Sequence, residues 1–414
     1  MNLPNMYRIR QKFDDTRVDD IRETVKAELG GLSWSAIRPG DRVAVTAGSR
    51  GIADIAQILG AIVDFFKSLE AEPFLFPAMG SHGGATAEGQ VAMLAQLGVT
   101  EASVKAPIVS SMETAEIGLT GDNIPVFMDK SALAADHIVV VNRIKSHTKF
   151  KAPIESGLMK MMAIGMGKLN GAQLYHKAAV PYSFFKIITD AARMVLTKTP
   201  IICAVGILEN AYGQTAKISV LKAAEIESQE QDLLHLSKKM MAKLPFNEID
   251  LLIVDEMGKD ISGVGIDPNI TGRNRDILGV FPHPVQVKRL FVRDLTDGSK
   301  GNATGIGLAD ITTQRLVDKI DYAATYKNCI TGLSPEKAAV PMHFGNDRDA
   351  IEVALGCVGL VSAARSKIVR IKNTLRLDLL EVSEAYAEML QKRPDLEIVA
   401  GPNCMEFSSE HNLL

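Results

Sequence analysis

Short, uninterrupted apolar runs constrain the fold of this chain more than any other feature of its sequence. They lack the alternation of polar and apolar residues that marks a sheet with one face in water. Strands that are buried on both faces have this composition, as in the parallel sheets of α/β proteins. Between the runs, Ile52–Leu69 and Ala87–Leu97 carry apolar residues at helical spacing. The sequence therefore predicts an α/β fold with mainly parallel sheets. The apolar runs are Asp41–Thr46, Pro73–Pro77, Asp136–Asn142, Pro200–Gly206 and Ile249–Asp255.

The length of 414 residues predicts two domains, because a single hydrophobic core rarely serves so long a chain. A charged, helical pattern over 222–244 is followed by a proline and a new strand, which places the domain boundary there. We expect an N-terminal domain of residues 1–244 and a C-terminal α/β domain of residues 245–378. An amphipathic pattern at 379–390 predicts a helix, and the tail 379–414 is expected to return to the N-terminal domain.

Composition indicates a globular protein without nucleic-acid or membrane partners. The net charge of −3 lacks the basic bias of nucleic-acid-binding proteins. No apolar run approaches the roughly 20 residues that a membrane-spanning helix needs, and residues 1–15 do not have the pattern of a targeting peptide. The four cysteines are scattered and form no C-x-x-C pair, so we expect reduced thiols and a cytoplasmic location.

Three histidines and one lysine are the candidates for chemistry. His82 lies on a turn between glycines, which leaves an imidazole accessible, although a capping turn with an incidental histidine is an equal alternative. His147 follows a predicted buried strand, a position that suits acid/base catalysis. Lys160 is set among leucine and methionines, where it is either a buried nucleophile or a snorkelling surface lysine. His176 taken alone is an ordinary helix residue.

A glycine-rich turn over 46–51, which includes Gly48 and Arg50, follows the first apolar run. Backbone N–H groups and the Arg50 guanidinium would suit a phosphate or carboxylate, although a surface salt bridge also accounts for Arg50. The turn also mimics the opening of short-chain dehydrogenases, and Tyr182-Ser-Phe-Phe-Lys186 mimics their Y-x-x-x-K pair. Alanines stand where that family has glycines in the turn, and a leucine stands where it has a serine. We therefore keep the dehydrogenase only as an alternative.

Taken together, the candidates resemble the nickel-dependent lactate racemase family of 2-hydroxyacid racemases and epimerases. The resemblance implies two α/β domains with a cofactor cleft between them. The matching residues, in the family's order, are Arg50, Gly80-Ser-His82, His147, Ser156-Gly-Leu-Met-Lys160 and His176.

The resemblance implies a nickel-pincer nucleotide, the nickel complex of pyridinium-3,5-bisthiocarboxylic acid mononucleotide. Lys160 would attach this cofactor through a thioamide, and His176 would be the protein ligand to nickel. Gly48, Arg50 and Ser156 would also contact the cofactor. The enzymes that make the cofactor would then be partners of this chain.

The resemblance also implies an isomerase mechanism. His82 and His147 would be the acid/base residues, one on each face of the substrate carbon. Hydride would leave that carbon for the cofactor and return to the opposite face. Arg50 would bind the substrate carboxylate, or an anionic group close to it.

One departure from the family concerns the substrate. Lactate racemases carry a Gln and a Lys, three residues apart, after a segment like Lys259-Asp-Ile261, and that pair is missing here. Lactate itself is therefore not the expected substrate. Lys259, Asn269 and Arg273 are candidate substrate contacts in a polar wall that would suit a larger, hydroxylated acid such as a sugar acid.

Three alternatives remain open at this stage. A zinc hydrolase would use His82, His147 and His176 as ligands. A non-catalytic nucleotide- or anion-binding protein would use the turn at 46–51. An NAD(P)-dependent oxidoreductase of the short-chain type would depend on Tyr182. The racemase interpretation is favoured because it alone uses all three histidines and Lys160.

Overall fold

A computed structural model describes residues 1–49, 51–278 and 281–414. The chain forms two compact units. The first unit comprises Asp15–His147 and Lys151–Met241, and the second comprises Met1–Asp14, Thr148–Phe150 and Ala242–Leu414. Among the described residues, no helix is both long enough and apolar enough to cross a membrane.

The strands in chain order are β1 (Met6–Gln11), β2 (Arg42–Ala47), β3 (Glu72–Pro77), β4 (Thr114–Leu119), β5 (Pro125–Asp129), β6 (His137–Arg143), β7 (Ile201–Glu209), β8 (Thr215–Lys222), β9 (Glu248–Val254), β10 (Gln286–Val292), β11 (Ile311–Thr313), β12 (Met342–Phe344), β13 (Ile368–Asn373), β14 (Arg376–Ser383) and β15 (Leu396–Asn403).

The α-helices are α1 (Ile21–Gly30), α2 (Ile55–Ser68), α3 (Ala87–Gln96), α4 (Glu101–Val104), α5 (Lys130–Leu133), α6 (Leu158–Lys160), α7 (Lys168–Tyr182), α8 (Phe184–Lys198), α9 (Ile226–Met240), α10 (Pro268–Thr271), α11 (Gln314–Asp318), α12 (Tyr322–Thr331), α13 (Asp347–Gly356) and α14 (Ala387–Leu390). A π-helix at Met161–Gly165 links α6 to α7. Short 3-10 helices cover Gly83–Ala85, Ala223–Glu225, Asp297–Ser299, Ile306–Leu308, Pro335–Ala338, Ala363–Arg365 and Glu384–Tyr386.

The first unit is built on a five-stranded sheet in the order β3-β2-β6-β7-β8. The first four strands are parallel and β8 runs antiparallel to β7. β2 and β6 are almost entirely buried, as expected for parallel strands covered on both faces. Helix α2 packs an apolar face against this sheet, and its buried residues include Ile55, Ile58, Leu59, Ile62 and Phe66.

The second unit is built on an eight-stranded sheet in the order β12-β11-β10-β9-β13-β14-β1-β15. The strands from β12 to β13 are parallel, and those from β13 to β15 are antiparallel. Leu251 and Ile253 of β9 and Phe291 of β10 lie in a core that helix α13 covers with Ile351. The predicted α/β class with mainly parallel sheets is confirmed.

The ends of the chain differ from the prediction. The predicted helix at 379–390 is wrong, because Arg376–Ser383 is a strand and only Ala387–Leu390 is α-helical. β14 pairs with β13 on one side and with β1 on the other. The tail 379–414 and residues 1–14 therefore lie in the second unit rather than in a domain with the rest of 1–244.

Candidate active site

The ladder between β2 and β6 ends earlier than the ladder between β2 and β3, at the carboxyl ends of the strands in the first unit. Pairing between β2 and β3 continues to Ala47, whereas pairing between β2 and β6 stops at Val45. Thr46 fills the gap: its hydroxyl donates to the Val141 carbonyl at 3.1 Å and accepts from the Val141 N–H at 2.7 Å. The chain runs from β2 outward to β3 and returns on the other side at β6, and ligands of open α/β sheets bind at such switch points.

The turn after β2 places Gly48 and Ser49 at this end of the sheet. A Cβ on Gly48 would lie 3.3 Å from Met161 Cε and 3.8 Å from Asn142 Oδ1, so the glycine lies against the helix that follows Lys160. Arg50, the predicted carboxylate or cofactor contact, lies outside the described residues.

His82 lies on the loop after β3 and reaches the same turn. Its Nδ1 forms a short hydrogen bond with Ser49 Oγ. The loop is held against the π-helix, because the Gly80 N–H donates to the Gly165 carbonyl at 3.2 Å. Gly80 has φ of +58°, and a Cβ there would come within 3.3 Å of the Ile164 carbonyl oxygen. Both the conformation and the contact favour glycine.

His147 and Lys160 meet directly. His147 Nε2 lies 2.9 Å from Lys160 Nζ, and the histidine is only 9% exposed. The His147 backbone N–H donates to Glu155 Oε2 at 2.6 Å. Glu155 is fully buried, and Lys238 donates to its other oxygen at 2.6 Å. Glu155 thus fixes the loop that carries His147.

The short helix α6 that carries Lys160 is capped by a buried carboxyl group. Glu230 of α9 accepts from the Met159 N–H at 2.8 Å, and burial raises the pKa of Glu230 to about 8. A Cβ on Gly157 would lie 2.1 Å from Glu230 Oε1, so any other residue there would displace the carboxyl group. Asn142 of β6 donates to the Gly157 carbonyl at 2.8 Å. Ser156, a predicted cofactor contact, pairs through its backbone with Lys145.

His176 lies one helix further along and approaches His147 through Phe184. The ring centroid of Phe184 is 5.1 Å from that of His176 and 5.9 Å from that of His147. His176 Nδ1 donates to the Ala172 carbonyl at 2.6 Å. That bond selects the tautomer in which Nε2 carries the lone pair, as in histidines that bind metals.

His147 thus contacts Lys160 directly and is linked to His176 through Phe184, while His82 contacts the turn after β2. In the part of the chain that the structure describes, no group of three or more His, Cys, Asp or Glu side chains is arranged to hold a metal ion. The three imidazoles therefore do not form the ligand set that the zinc hydrolase alternative expected.

The dehydrogenase alternative depends on Tyr182 and Lys186 as a Y-x-x-x-K pair. In the structure α7 ends at Tyr182, and Ser183, with φ of +75°, caps a new helix. Lys186 Nζ is held by Asp122 at 2.5 Å and by Asp190 at 2.6 Å. The two residues thus lie on different helices, and Lys186 is engaged in ion pairs with two carboxylates.

The predicted substrate contacts of the C-terminal region lie in the second unit, in hydrogen-bonded positions. Arg273 forms a bidentate ion pair with Asp310 and also donates to two backbone carbonyls. Asn269 is buried and donates to Asp267 at 2.9 Å. Lys259 Nζ donates to Asn328 Oδ1 at 2.8 Å. For Arg273, these contacts support a structural role rather than a substrate contact.

The structure adds residues that sequence reasoning missed. Glu155 and Phe184 contact predicted site residues, Glu230 accepts from the Met159 N–H next to Lys160, and Gln90 supports the His82 loop. Gly83 and Gly84, which follow His82 in the sequence, predict a loop at this position. No local sequence signal identifies the two glutamates, because their partners lie elsewhere in the chain.

Comparison with known proteins indicates the class of fold that this chain adopts. No family model and no curated protein matches the sequence. Solved structures do match, and the fold that they indicate is that of lactate racemase.

Two such structures align over most of the chain. The lactate racemase apoprotein from Thermoanaerobacterium thermosaccharolyticum has a TM-score of 0.52 and 13% identity, and the alignment covers 89% of this chain and 98% of that one. A structural genomics target from Thermotoga maritima has a TM-score of 0.52 and 13% identity, with 88% and 98% covered. At this identity the likeness shows the fold.

Proposed function

We propose that this chain is a racemase or epimerase of a 2-hydroxy acid that works with a nickel-pincer nucleotide attached at Lys160. The observation that carries the proposal is the contact of Lys160 Nζ with His147 Nε2 at 2.9 Å, with Phe184 linking His147 to His176. The fold shared with a lactate racemase apoprotein supports it.

The residues present fit this cofactor. A lysine must lose its proton before its amine can form a covalent bond, and the adjacent imidazole of His147 can accept that proton. His176 holds the tautomer that offers Nε2 to a metal. Gly48 packs against Met161, which keeps the turn after β2 beside the lysine helix.

When bound, the cofactor supplies a hydride acceptor and an electropositive centre. The chain's own residues supply the proton transfers. His147 accepts the hydroxyl proton of one enantiomer, and His82 does so for the other, since the hydroxyl lies on opposite sides in the two. Because Ser49 Oγ is hydrogen-bonded to His82 Nδ1, Nε2 is the ring nitrogen that we propose for proton transfer. Imidazoles suit this role because their ordinary pKa lies near neutrality.

The proposed substrate is a hydroxylated acid larger than lactate, such as a sugar acid. The absence of the Gln/Lys pair after Lys259 supports this choice. Arg50 is the proposed partner of the substrate carboxylate. The test is turnover of lactate against a panel of aldonic acids by the loaded protein, and equal or better turnover of lactate refutes this part of the proposal.

The central test is peptide mass spectrometry with nickel analysis, on protein co-produced with the enzymes that make the cofactor. We expect a mass adduct on the Lys160 peptide and near-stoichiometric nickel. Lys160→Ala abolishes the adduct, and Lys177→Ala, at an exposed lysine of α7, retains it. His176→Ala retains the adduct and loses nickel.

The other outcomes point elsewhere. An unmodified Lys160 without nickel, under conditions that load a known racemase, overturns the proposal. Stoichiometric zinc without an adduct supports the hydrolase alternative. Bound NAD(P), with dependence on Tyr182, supports the dehydrogenase.

A further inference from the structure

We infer that Lys168 and Gln90 are positioning residues that hold the His82 loop in register with the helix that carries His176. This inference rests on the proposed function for its catalytic meaning, but its geometry does not depend on it. It assigns a role to a fully buried lysine that the proton transfers and the cofactor link do not use.

Lys168 and Gln90 form one continuous line of polar contacts to His82. Lys168 Nζ lies 3.0 Å from Asp129 Oδ2, 3.2 Å from Gln90 Oε1, and donates to the Pro77 carbonyl at the end of β3. Gln90 Nε2 in turn donates to the Gly80 carbonyl at 3.1 Å and to the His82 carbonyl at 3.3 Å. The ammonium group is thus two contacts away from the backbone of His82.

The same lysine is the first residue of α7, the helix of His176. Its φ of +51° is unusual for a residue with a side chain, and such conformations persist only where surrounding contacts hold them. The Asp129 N–H donates to the Met166 carbonyl at 2.9 Å, just before α7. The buried ion pair therefore fixes the start of α7 as well as the His82 loop.

Packing alone gives no reason for a charge at this place. Lys168, Asp129 and Gln90 are all completely inaccessible to solvent. Burial lowers the pKa of Lys168, an effect that the neighbouring Asp129 carboxylate opposes. Apolar residues of similar volume often replace buried ion pairs without loss of stability, and polar groups can instead specify one arrangement of the chain. Here the arrangement specified is that of His82 relative to α7.

The test uses the chain without cofactor and reads the histidine side chains by NMR. His82→Gln and His176→Ala assign the ring resonances, and the exposed His235 is the internal reference. Gln90→Leu removes the donors to the Gly80 and His82 carbonyls. We expect the His82 resonances to shift and His82 to react several-fold faster with diethylpyrocarbonate, while His235 stays unchanged.

Three further variants separate positioning from folding. Gln96→Leu, the same substitution at an exposed site of the same helix, should leave His82 unchanged. Gln90→Glu keeps the contact with Lys168 but cannot donate, so it should shift His82 and spare His176. Lys168→Met should shift both histidines.

A folded Gln90→Leu or Gln90→Glu protein with wild-type His82 resonances and reactivity overturns the inference. If Gln90→Leu does not fold, the near-isosteric Gln90→Glu decides. Because these readouts need no cofactor, they stand whether or not Lys160 carries an adduct. If the wild-type protein carries no adduct on Lys160, that result counts against the proposed function but not against this inference.

Discussion

Replacing Glu230 by glutamine should change how the stability of the first unit depends on pH. The Glu230 carboxyl is fully buried and caps the helix of Lys160 through the Met159 N–H. Burial raises its pKa from 4.5 to about 8. Glutamine has nearly the shape of the protonated carboxyl but does not titrate, so the variant isolates the effect of the proton.

The direction of the pH dependence follows from whether the folded or the unfolded chain holds the Glu230 proton. Between pH 4.5 and about 8, the folded chain keeps the Glu230 proton and the unfolded chain releases it. The free energy of unfolding therefore falls as pH rises through this interval. At about 1.4 kcal/mol per pH unit, the fall across the whole interval is roughly 5 kcal/mol. Below pH 4.5 and above about 8 this residue adds no pH dependence, and in Glu230→Gln its contribution is absent throughout.

The single tryptophan of the chain provides the assay. Trp34 lies in the first unit, with its ring 5.6 Å from that of Phe65 and 5.2 Å from that of Phe66. Its fluorescence during urea unfolding, measured between about pH 5 and about pH 9, gives the free energy for this unit. The wild-type minus Glu230→Gln difference should become less favourable as pH rises to about 8.

A matched control lies on the same helix. Hydrogen bonding from Arg193 lowers the pKa of Glu227 below its ordinary value, so Glu227→Gln should add no slope above pH 5. Parallel pH profiles for wild type and Glu230→Gln would refute the raised pKa, because Glu230 would then titrate alike in the folded and the unfolded chain.

Further predictions concern packing, charge and thiol reactivity. Gly157→Ala places a Cβ against the Glu230 carboxyl and should lower the free energy of unfolding by about 1–3 kcal/mol, as measured by urea unfolding. Lys168→Met leaves the Asp129 carboxylate buried without its ion-pair partner and should cost about 3–5 kcal/mol; adding Asp129→Asn should recover most of this loss, and no recovery would contradict the ion-pair explanation. Burial raises the pKa of the Cys203 thiol, so iodoacetamide should label the two exposed cysteines in the folded protein but Cys203 only after unfolding, as mass spectrometry would show.

The parallel strands could be predicted from sequence because burial on both faces gives each strand an uninterrupted apolar run. The runs predicted at Asp41–Thr46 and Asp136–Asn142 correspond to β2 and β6 within one residue at each end. The antiparallel strands of the second unit are not buried along their whole length and have no such apolar run. In β15, every residue after Leu396 is exposed, so no apolar pattern could identify it as a strand.

The candidate site was predictable where it depends on strand ends. The turn after β2 and the His82 loop after β3 meet because the carboxyl ends of neighbouring parallel strands lie at one edge of a sheet. The supporting residues depend on contacts between distant parts of the chain. Glu230 caps a helix 71 residues away from it in sequence, and no local pattern announces such a contact. Arg273, by contrast, was predicted to line a polar pocket only because its segment is rich in polar residues. The structure gives Arg273 an ion pair with Asp310.

The π-helix after Lys160 makes the length of this segment as important as its composition. The Met166 N–H bonds to the Met161 carbonyl, five residues back, at 2.9 Å. Deleting one residue, such as Ala163, would allow ordinary α-helical bonding and would turn the following helix by about 100° and draw it back by about 1.5 Å. His176 of α7 would then take a different position relative to Lys160, although both side chains would still be present. The segment can therefore exchange residues during evolution more readily than it can lose or gain one.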